Sequence, residues 1–300
     1  MSRDYAISGK TIFITGAARG IGAAAARRLH QRGARVALVG LEPELLRELA
    51  DELGTGAAWF EADVTDAEAM ARAVAGTVDK FGGIDVVIAN AGVLHIGSVA
   101  ESLPHQFERT LDVNLMGVWR TLRATLPQVI ARQGYILNVA SVAALGHGPL
   151  MGAYAASKAA VDALSDSLRI ELGPSGARVG CAYFGAIDTD LVQGSRVHPA
   201  MAALETLAPR FLGAEIPLSE AADVIEDGIR RRAARIWAPR WVGLFLLLRG
   251  IAQPVMEWRV RGSPGLASAL DLARPDSNGT ENQDDRLGTA ANVRARRRKA

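Results

Sequence analysis

Short apolar runs separated by long helix-forming stretches limit what this chain can fold into more than any other feature. The runs are I-F-I at 12–14, V-A-L-V at 36–39, A-A-W-F at 57–60, I-D-V-V-I-A at 84–89, Y-I-L-N-V at 135–139 and V-G-C-A-Y-F at 179–184. A weaker R-I-W-A follows at 235–238. Each is rich in β-branched or aromatic residues and hardly alternates, as strands covered on both faces do. Between them the apolar positions take helical spacing: Ile21, Ala25 and Leu29 share one stripe, and Leu45, Leu46 and Leu49 another. Repeated strand–helix–strand units build a parallel sheet with right-handed crossovers. The expected class is α/β, a doubly wound parallel sheet with helices on both faces.

The 49% of apolar residues is enough to fill such a core and excludes wholesale disorder. The net charge of +2 is unevenly placed: residues 276–300 hold six Lys/Arg against four Asp/Glu, so the body is balanced at 28 of each. The body therefore has no general basic field, and no nucleic-acid partner is expected. Cys181, the single cysteine, excludes an intramolecular disulfide and a cysteine-based metal cluster, and no metal is expected. Its apolar setting suits packing inside a strand. The opening MSRDYAISGK contains no apolar signal-peptide core, so cytoplasmic residence is expected.

Two segments depart from the alternation. Residues 185–218 mix polarity and contain Gly185, Gly194, Pro199, Pro209, Gly213 and Pro217, as expected for a long substrate loop with one or two short helices. Past Pro275 the chain is polar and almost without large apolar residues, so a disordered basic tail is expected over 275–300. The expected layout is a sheet domain over 1–240, an apolar extension over 241–274, and that tail.

After the first run comes Thr15-Gly16-Ala17-Ala18-Arg19-Gly20-Ile21-Gly22, leading directly into a helix. Glycines allow a tight turn and close approach of backbone to a pyrophosphate, and the helix N-terminus offers free N–H groups. Strand, turn and helix come in the order a nucleotide site needs. With this T-G-x-x-x-G-x-G spacing the chain resembles the short-chain dehydrogenase/reductase family over roughly residues 8–240. The resemblance implies a Rossmann-type sheet of about seven parallel strands binding NAD or NADP. It further implies that Gly16, Arg19, Gly20, Ile21 and Gly22 hold the cofactor. Asp63-Val64 is similar to the adenine-contacting pair, and Asn90-Ala91-Gly92 to the motif lining the cofactor. Asn114, Ser141, Tyr154 and Lys158 match the family's catalytic tetrad.

The spacing of that set has its own logic. Tyr154 and Lys158 are four apart on a predicted helix, so both project from one face. A free tyrosine has a pKa of about 10, and a nearby ammonium lowers it toward working pH. Lys158 can also reach the nicotinamide ribose hydroxyls. Ser141 ends the fifth run, where open α/β sheets bind ligands, and its hydroxyl can bond a substrate oxygen as charge develops. By resemblance Asn114 anchors a water for proton relay. Many relatives carry Pro-Gly after the sixth strand and then a Thr that contacts the carboxamide. Here Gly185 and Thr189 match while Phe184 stands in for the proline, so a less constrained local backbone is expected.

These readings imply interconversion of an alcohol and a carbonyl by hydride transfer, with Tyr154 as general acid/base. A non-catalytic nucleotide-binding scaffold or redox sensor on the same fold is the alternative, against which the intact Ser–Tyr–Lys set speaks. NADP is favoured over NAD. The place of the NAD-selecting carboxylate holds Gly40-Leu41, Glu42 would have to curl back, and Arg19 is suited to a 2′-phosphate.

Residues 237–258, WAPRWVGLFLLLRGIAQPVMEW, hold a continuous apolar core only from Trp241 to Leu248, short of the ~20 residues a spanning helix needs. Arg249 and Pro254 are expected to interrupt any extension. The segment could cover the substrate cleft, pack against a second subunit, or lie peripherally in a membrane interface with its tryptophans at headgroup depth. All three suit a small hydrophobic, lipid-, steroid- or retinoid-like substrate, and a homo-oligomer is expected. The Arg294–Lys299 cluster is read as a solvated tail, with anionic lipid or nucleic acid as other partners.

Overall fold

The computed structural model describes residues 4–205, 213–260 and 263–274. The expected tail over 275–300 and residues 206–212 of the loop lie outside the described residues.

Seven strands form one parallel sheet in the order β3-β2-β1-β4-β5-β6-β7. They are β1 (Thr11–Thr15), β2 (Arg35–Gly40), β3 (Ala57–Glu61), β4 (Val86–Ala89), β5 (Tyr135–Val139), β6 (Arg178–Phe184) and β7 (Arg235–Ala238). The order reverses between β1 and β4, and in a sheet of this kind the crevice outside the carboxyl ends at that switch receives the ligand.

Alternate residues of each central strand feed two apolar layers. In β1, Phe13 packs on one side with Met70, Val118 and Val161, while Ile12 and Ile14 pack on the other with Leu29 and Ile225. The first layer is roofed by α3 (Ala67–Phe81), α5 (Gly117–Ala131) and α6 (Gly152–Glu171); the second by α1 (Gly20–Gln31), α2 (Pro43–Leu53) and α9 (Leu218–Arg231). Only the central strands are covered on both faces. Trp59 of β3 is partly exposed, and β7 alternates, with Arg235 and Trp237 outward and Ile236 and Ala238 buried. Edge strands lack a neighbour on one side, which frees part of their surface.

Between β4 and α5 lie α4 (Pro104–Leu111) and a π-helical turn (Asp112–Met116) that carries Asn114. The loop after β6 contains two short helices, α7 (Asp190–Arg196) and α8 (Pro199–Glu205). The extension is two helices, α10 (Trp241–Val260) and α11 (Pro264–Leu272). The expected interruption at Arg249 and Pro254 does not occur: α10 runs through both. Arg249 is accommodated because its guanidinium meets Asp162 of α6 at 3.0 Å, and a proline removes only one i→i−4 bond from a helix held by other contacts. Among the described residues no helix is long and apolar enough to cross a membrane.

Candidate active site

The turn after β1 is closed by side chains from the end of β4. Asn90 donates through Nδ2 to the carbonyls of Thr15 (3.1 Å) and Gly16 (3.2 Å), and Thr15 Oγ1 accepts from the backbone N–H of Asn90 and Ala91. Asn90 thus braces the glycine-rich turn. Gly16 sits at φ +63, and a Cβ on Gly22 would lie 2.2 Å from the Gly16 carbonyl oxygen, so neither accepts a side chain without distortion. Helix α1 begins at Gly20 with no side-chain cap from Arg19 and no acid in its first turn. Its first N–H groups and positive dipole end are left for an anion, which fits a cofactor pyrophosphate. Thr189 approaches this turn from the other side, its Cγ2 3.5 Å from where a Gly20 Cβ would stand.

Arg19 is not free. Its guanidinium pairs with Glu42 at 3.2 Å and approaches Asp190 at 3.6 Å. Glu42 has curled back, so that Oε2 lies 3.6 Å from the position a Cβ of Gly40 would take. An acid therefore occupies the end of β2 although the residue there is glycine. Asp63 is held by the N–H and hydroxyl of Thr65, both at 2.8 Å, and by Arg109 at 3.3 Å. Burial alone would raise its pKa, but these contacts outweigh it and hold the carboxyl below the usual range. Val64 is buried beside it, against Gly117 at the start of α5.

The four residues matched to the tetrad come from three segments, the π-helical turn, the turn after β5 and α6, and two of them approach Gly92. Asn114 Oδ1 and Lys158 Nζ lie 3.3 and 3.5 Å from the position of a Gly92 Cβ. Asn114 is fully buried and bonds the Val93 backbone in both directions, accepting from its N–H at 2.8 Å and donating to its carbonyl at 2.9 Å. Its Nδ2 also donates to Ser157 at 3.1 Å. The Asn114 side chain is thus occupied in joining the π-helical turn to the β4 loop and α6. Ser157, adjacent to Lys158, had no motif to mark it in the sequence.

Ser141 opens a 3-10 turn (Val142–Ala144) directly after β5, and its Oγ accepts from the Ala143 N–H at 3.1 Å. The same hydroxyl faces the Tyr154 phenol closely enough to favour its ionised form. Burial raises the Tyr154 pKa, and the Ser141 hydroxyl is the one influence that opposes it. Lys158 Nζ lies 5.6 Å from the centre of the Tyr154 ring and donates to the Val139 carbonyl at 2.8 Å. Burial lowers the lysine pKa to about 8. The ammonium therefore sits beside the Tyr154 ring, while burial and Ser141 set the phenol pKa.

The segment after β6 is firmly held, contrary to the looser backbone expected from Phe184. The Phe184 side chain is buried, its carbonyl accepts from Ser141, and the Gly185 N–H donates to Ala238 at 2.8 Å. Pro239 packs on Gly185, its Cδ 2.9 Å from the position of a Cβ there. One turn beyond Lys158 on α6, Asp162 accepts from Tyr183 of β6 and from Arg249 of α10. This buried acid ties the extension to α6, a link between residues 87 apart that no local spacing announces.

Residues 10–199 match the short chain dehydrogenase family. An uncharacterized oxidoreductase of Staphylococcus epidermidis is 35% identical over 187 residues, covering 62% of this chain and 81% of the relative. An uncharacterized NAD-dependent oxidoreductase of Mycobacterium tuberculosis is 37% identical over 210 residues, 64% and 76% of the two chains. A 3-alpha-(or 20-beta)-hydroxysteroid dehydrogenase of Mycobacterium bovis is 36% identical over 184 residues, 61% and 71%. Among solved structures, a short chain dehydrogenase/reductase of Burkholderia phymatum in complex with NAD superposes with a TM-score of 0.73 at 25% identity, over 87% of this chain and 98% of that one. With its reversed seven-stranded sheet, braced glycine turn and matched sequence, the chain belongs to the short chain dehydrogenase family and is an NAD(P)-dependent oxidoreductase.

Proposed function

We propose that the chain interconverts an alcohol and a carbonyl on a hydrophobic substrate, with Tyr154 as the general acid/base. The observation that carries this is the meeting of the Ser141 hydroxyl, the Tyr154 phenol and the Lys158 ammonium, whose Nζ lies 5.6 Å from the Tyr154 ring centre. When bound, the nicotinamide supplies or accepts the hydride at the substrate carbon. Ser141 holds the substrate oxygen, and Tyr154 gives it a proton in reduction or takes one in oxidation. Lys158 sets the charge beside the phenol, and Gly185 and Thr189 bound the nicotinamide end. Asp63, Val64, Asn90, Ala91 and Gly92 line the adenine and central parts of the same groove.

A hydrophobic substrate is supported by the small apolar cluster on the loop side. Ile96 and Leu150 pack there with Ala200 of α8 and Ala269 of α11, so part of the extension helps wall that side. The steroid named for the mycobacterial relative is compatible with such a wall. A homo-oligomer is supported by exposed Met116 and Trp119 around the start of α5, where the Arg123 guanidinium lies 5.6 Å from the Trp119 ring centre. A cytoplasmic enzyme with a sheet domain over 1–240 and an extension over 241–274 accords with these features. A panel of steroids, retinoids, long-chain ketones and quinones, read by nicotinamide absorbance, tests the reading. No turnover on any class would favour the non-catalytic scaffold.

The cofactor is read at its adenosine ribose by Arg19 and Glu42. Sequence alone favours NADP, through Arg19 and a 2′-phosphate. The curled Glu42 favours NAD instead, because a ribose diol can donate to a carboxylate already in place, whereas a phosphate must displace it from Arg19 beside Asp190. Glu42→Gln is expected to weaken NADH by roughly 10–150-fold, the loss of a charge-assisted bond, and to spare NADPH. Calorimetry decides it. Tighter NADPH binding by the wild type, lost selectively in Arg19→Ala, would return the assignment to NADP.

A further inference from the structure

Helix α10 has two apolar faces, and only one of them is buried. At 3.6 residues per turn, Val242, Phe245, Leu246 and Arg249 fall on the inward side. Val242 is buried, Phe245 and Leu246 pack against the layer beneath, and Arg249 meets Asp162. The opposite side carries Leu244, Leu247, Leu248, Ile251, Val255 and Trp258, all exposed. Their spacing of three and four residues places them within about 100° of one another, as one continuous stripe. Leu247, Ile251 and Trp258 are 79%, 67% and 83% exposed. Six large apolar side chains in one row on water are a surface awaiting a partner. The stripe also lies beyond residue 199, where the match to the family ends.

We infer that this stripe docks the enzyme on a bilayer interface bearing anionic headgroups. Charge and aromatic placement argue for lipid. Arg240 stands just before the helix and Arg259 near its end, both exposed, and among the described residues neither forms an ion pair. Exposed Trp237 and Trp258 stand near the same two ends. An apolar row flanked by arginine and tryptophan matches an interfacial helix, whose leucines enter the acyl boundary while cations meet phosphates. Past residue 274 the chain continues for 26 residues, with five basic side chains within residues 294–299, a further charge for the same headgroups. A second copy of the chain fits less well: antiparallel pairing of the stripe with itself would set the arginine at one end against the arginine at the other. The Arg249–Asp162 bond holds the docked helix to α6, the helix that carries Tyr154 and Lys158.

The vesicle test needs no substrate and no turnover, so its failure is separable from failure of the catalytic reading. The full chain is sedimented with vesicles of phosphatidylcholine alone and with vesicles that also contain phosphatidylglycerol. It is expected to pellet with the anionic vesicles, less so as salt rises, and weakly with phosphatidylcholine. The combined variant Leu247→Gln, Ile251→Gln, Trp258→Gln should lower the partition coefficient at least ~100-fold while cofactor affinity is retained, since all three side chains are exposed in the free protein. Truncation after Arg274 should reduce the preference for phosphatidylglycerol and leave binding by the helix. The proposal is overturned if the wild type stays in the supernatant with both vesicles, or if the variant pellets as the wild type does. It is equally overturned if truncation alone abolishes binding. A wild-type dimer that becomes a monomer in the variant, without vesicle binding, would make the stripe a subunit interface.

Discussion

Tyr154→Phe is expected to lower turnover by at least ~10²-fold while the protein folds and binds its nicotinamide cofactor as before. The substitution removes one oxygen. In the proposed reaction that oxygen accepts or supplies the proton of a substrate oxygen, which Ser141 holds from the side. Two of its neighbours are engaged elsewhere: Lys158 donates to the Val139 carbonyl, and the Asn114 side chain is taken up by Val93 and Ser157. The ring itself keeps its packing, so the loss should appear in kcat with little change in cofactor affinity. The measurement is steady-state turnover on whichever panel substrate the wild type uses, with cofactor affinity by calorimetry. Unchanged turnover would remove Tyr154 from the chemistry and leave the fold assignment standing.

The sheet was legible because its signals are local. Six unalternated runs and the helical stripes between them are written in consecutive residues, and the structure places a strand on every run. The edges were misjudged for the same reason: nothing in A-A-W-F or R-I-W-A tells that one side lacks a neighbour. The glycine turn and the tyrosine–lysine pair also have fixed short spacings, so their positions could be read directly. Contacts over long separations could not. Glu42 curling onto Gly40 depends on where α2 starts, and its pairing with Arg19 joins residues 23 apart. The continuity of α10 through Arg249 depends on Asp162, which becomes a partner only once β7 has brought the chain back against α6. Seen from sequence, an arginine in an apolar run reads as an interruption; in the fold it is the anchor of that run.

Lys158→Met is expected to cost at least ~10²-fold in turnover and yet leave the cofactor-free protein as stable at neutral pH, or more so. The reason is the sign of its titration. Burial lowers the lysine pKa from 10.5 to about 8. Below pH 8 the side chain is charged in both folded and unfolded chains, and the full penalty of burying an ammonium is present. Between about pH 8 and 10.5 the unfolded chain binds more protons than the folded one, so stability rises with pH; above that range the lysine is neutral in both and the penalty is gone. A depression of this size corresponds to roughly 3 kcal/mol of destabilisation at neutral pH. Against it stands the bond to the Val139 carbonyl, whose loss leaves a buried acceptor at about 1–3 kcal/mol. The two terms leave the variant between unchanged and about 2 kcal/mol more stable at pH 7. The sharper signature is in the slope: denaturant melts from pH 7 to 10 should show a rising contribution in the wild type that is missing in the methionine variant. A destabilised variant with the same alkaline slope would mean that Lys158 is not the buried, depressed cation described above. Wild-type turnover in the variant would show that the charge beside the Tyr154 ring is not needed for proton transfer.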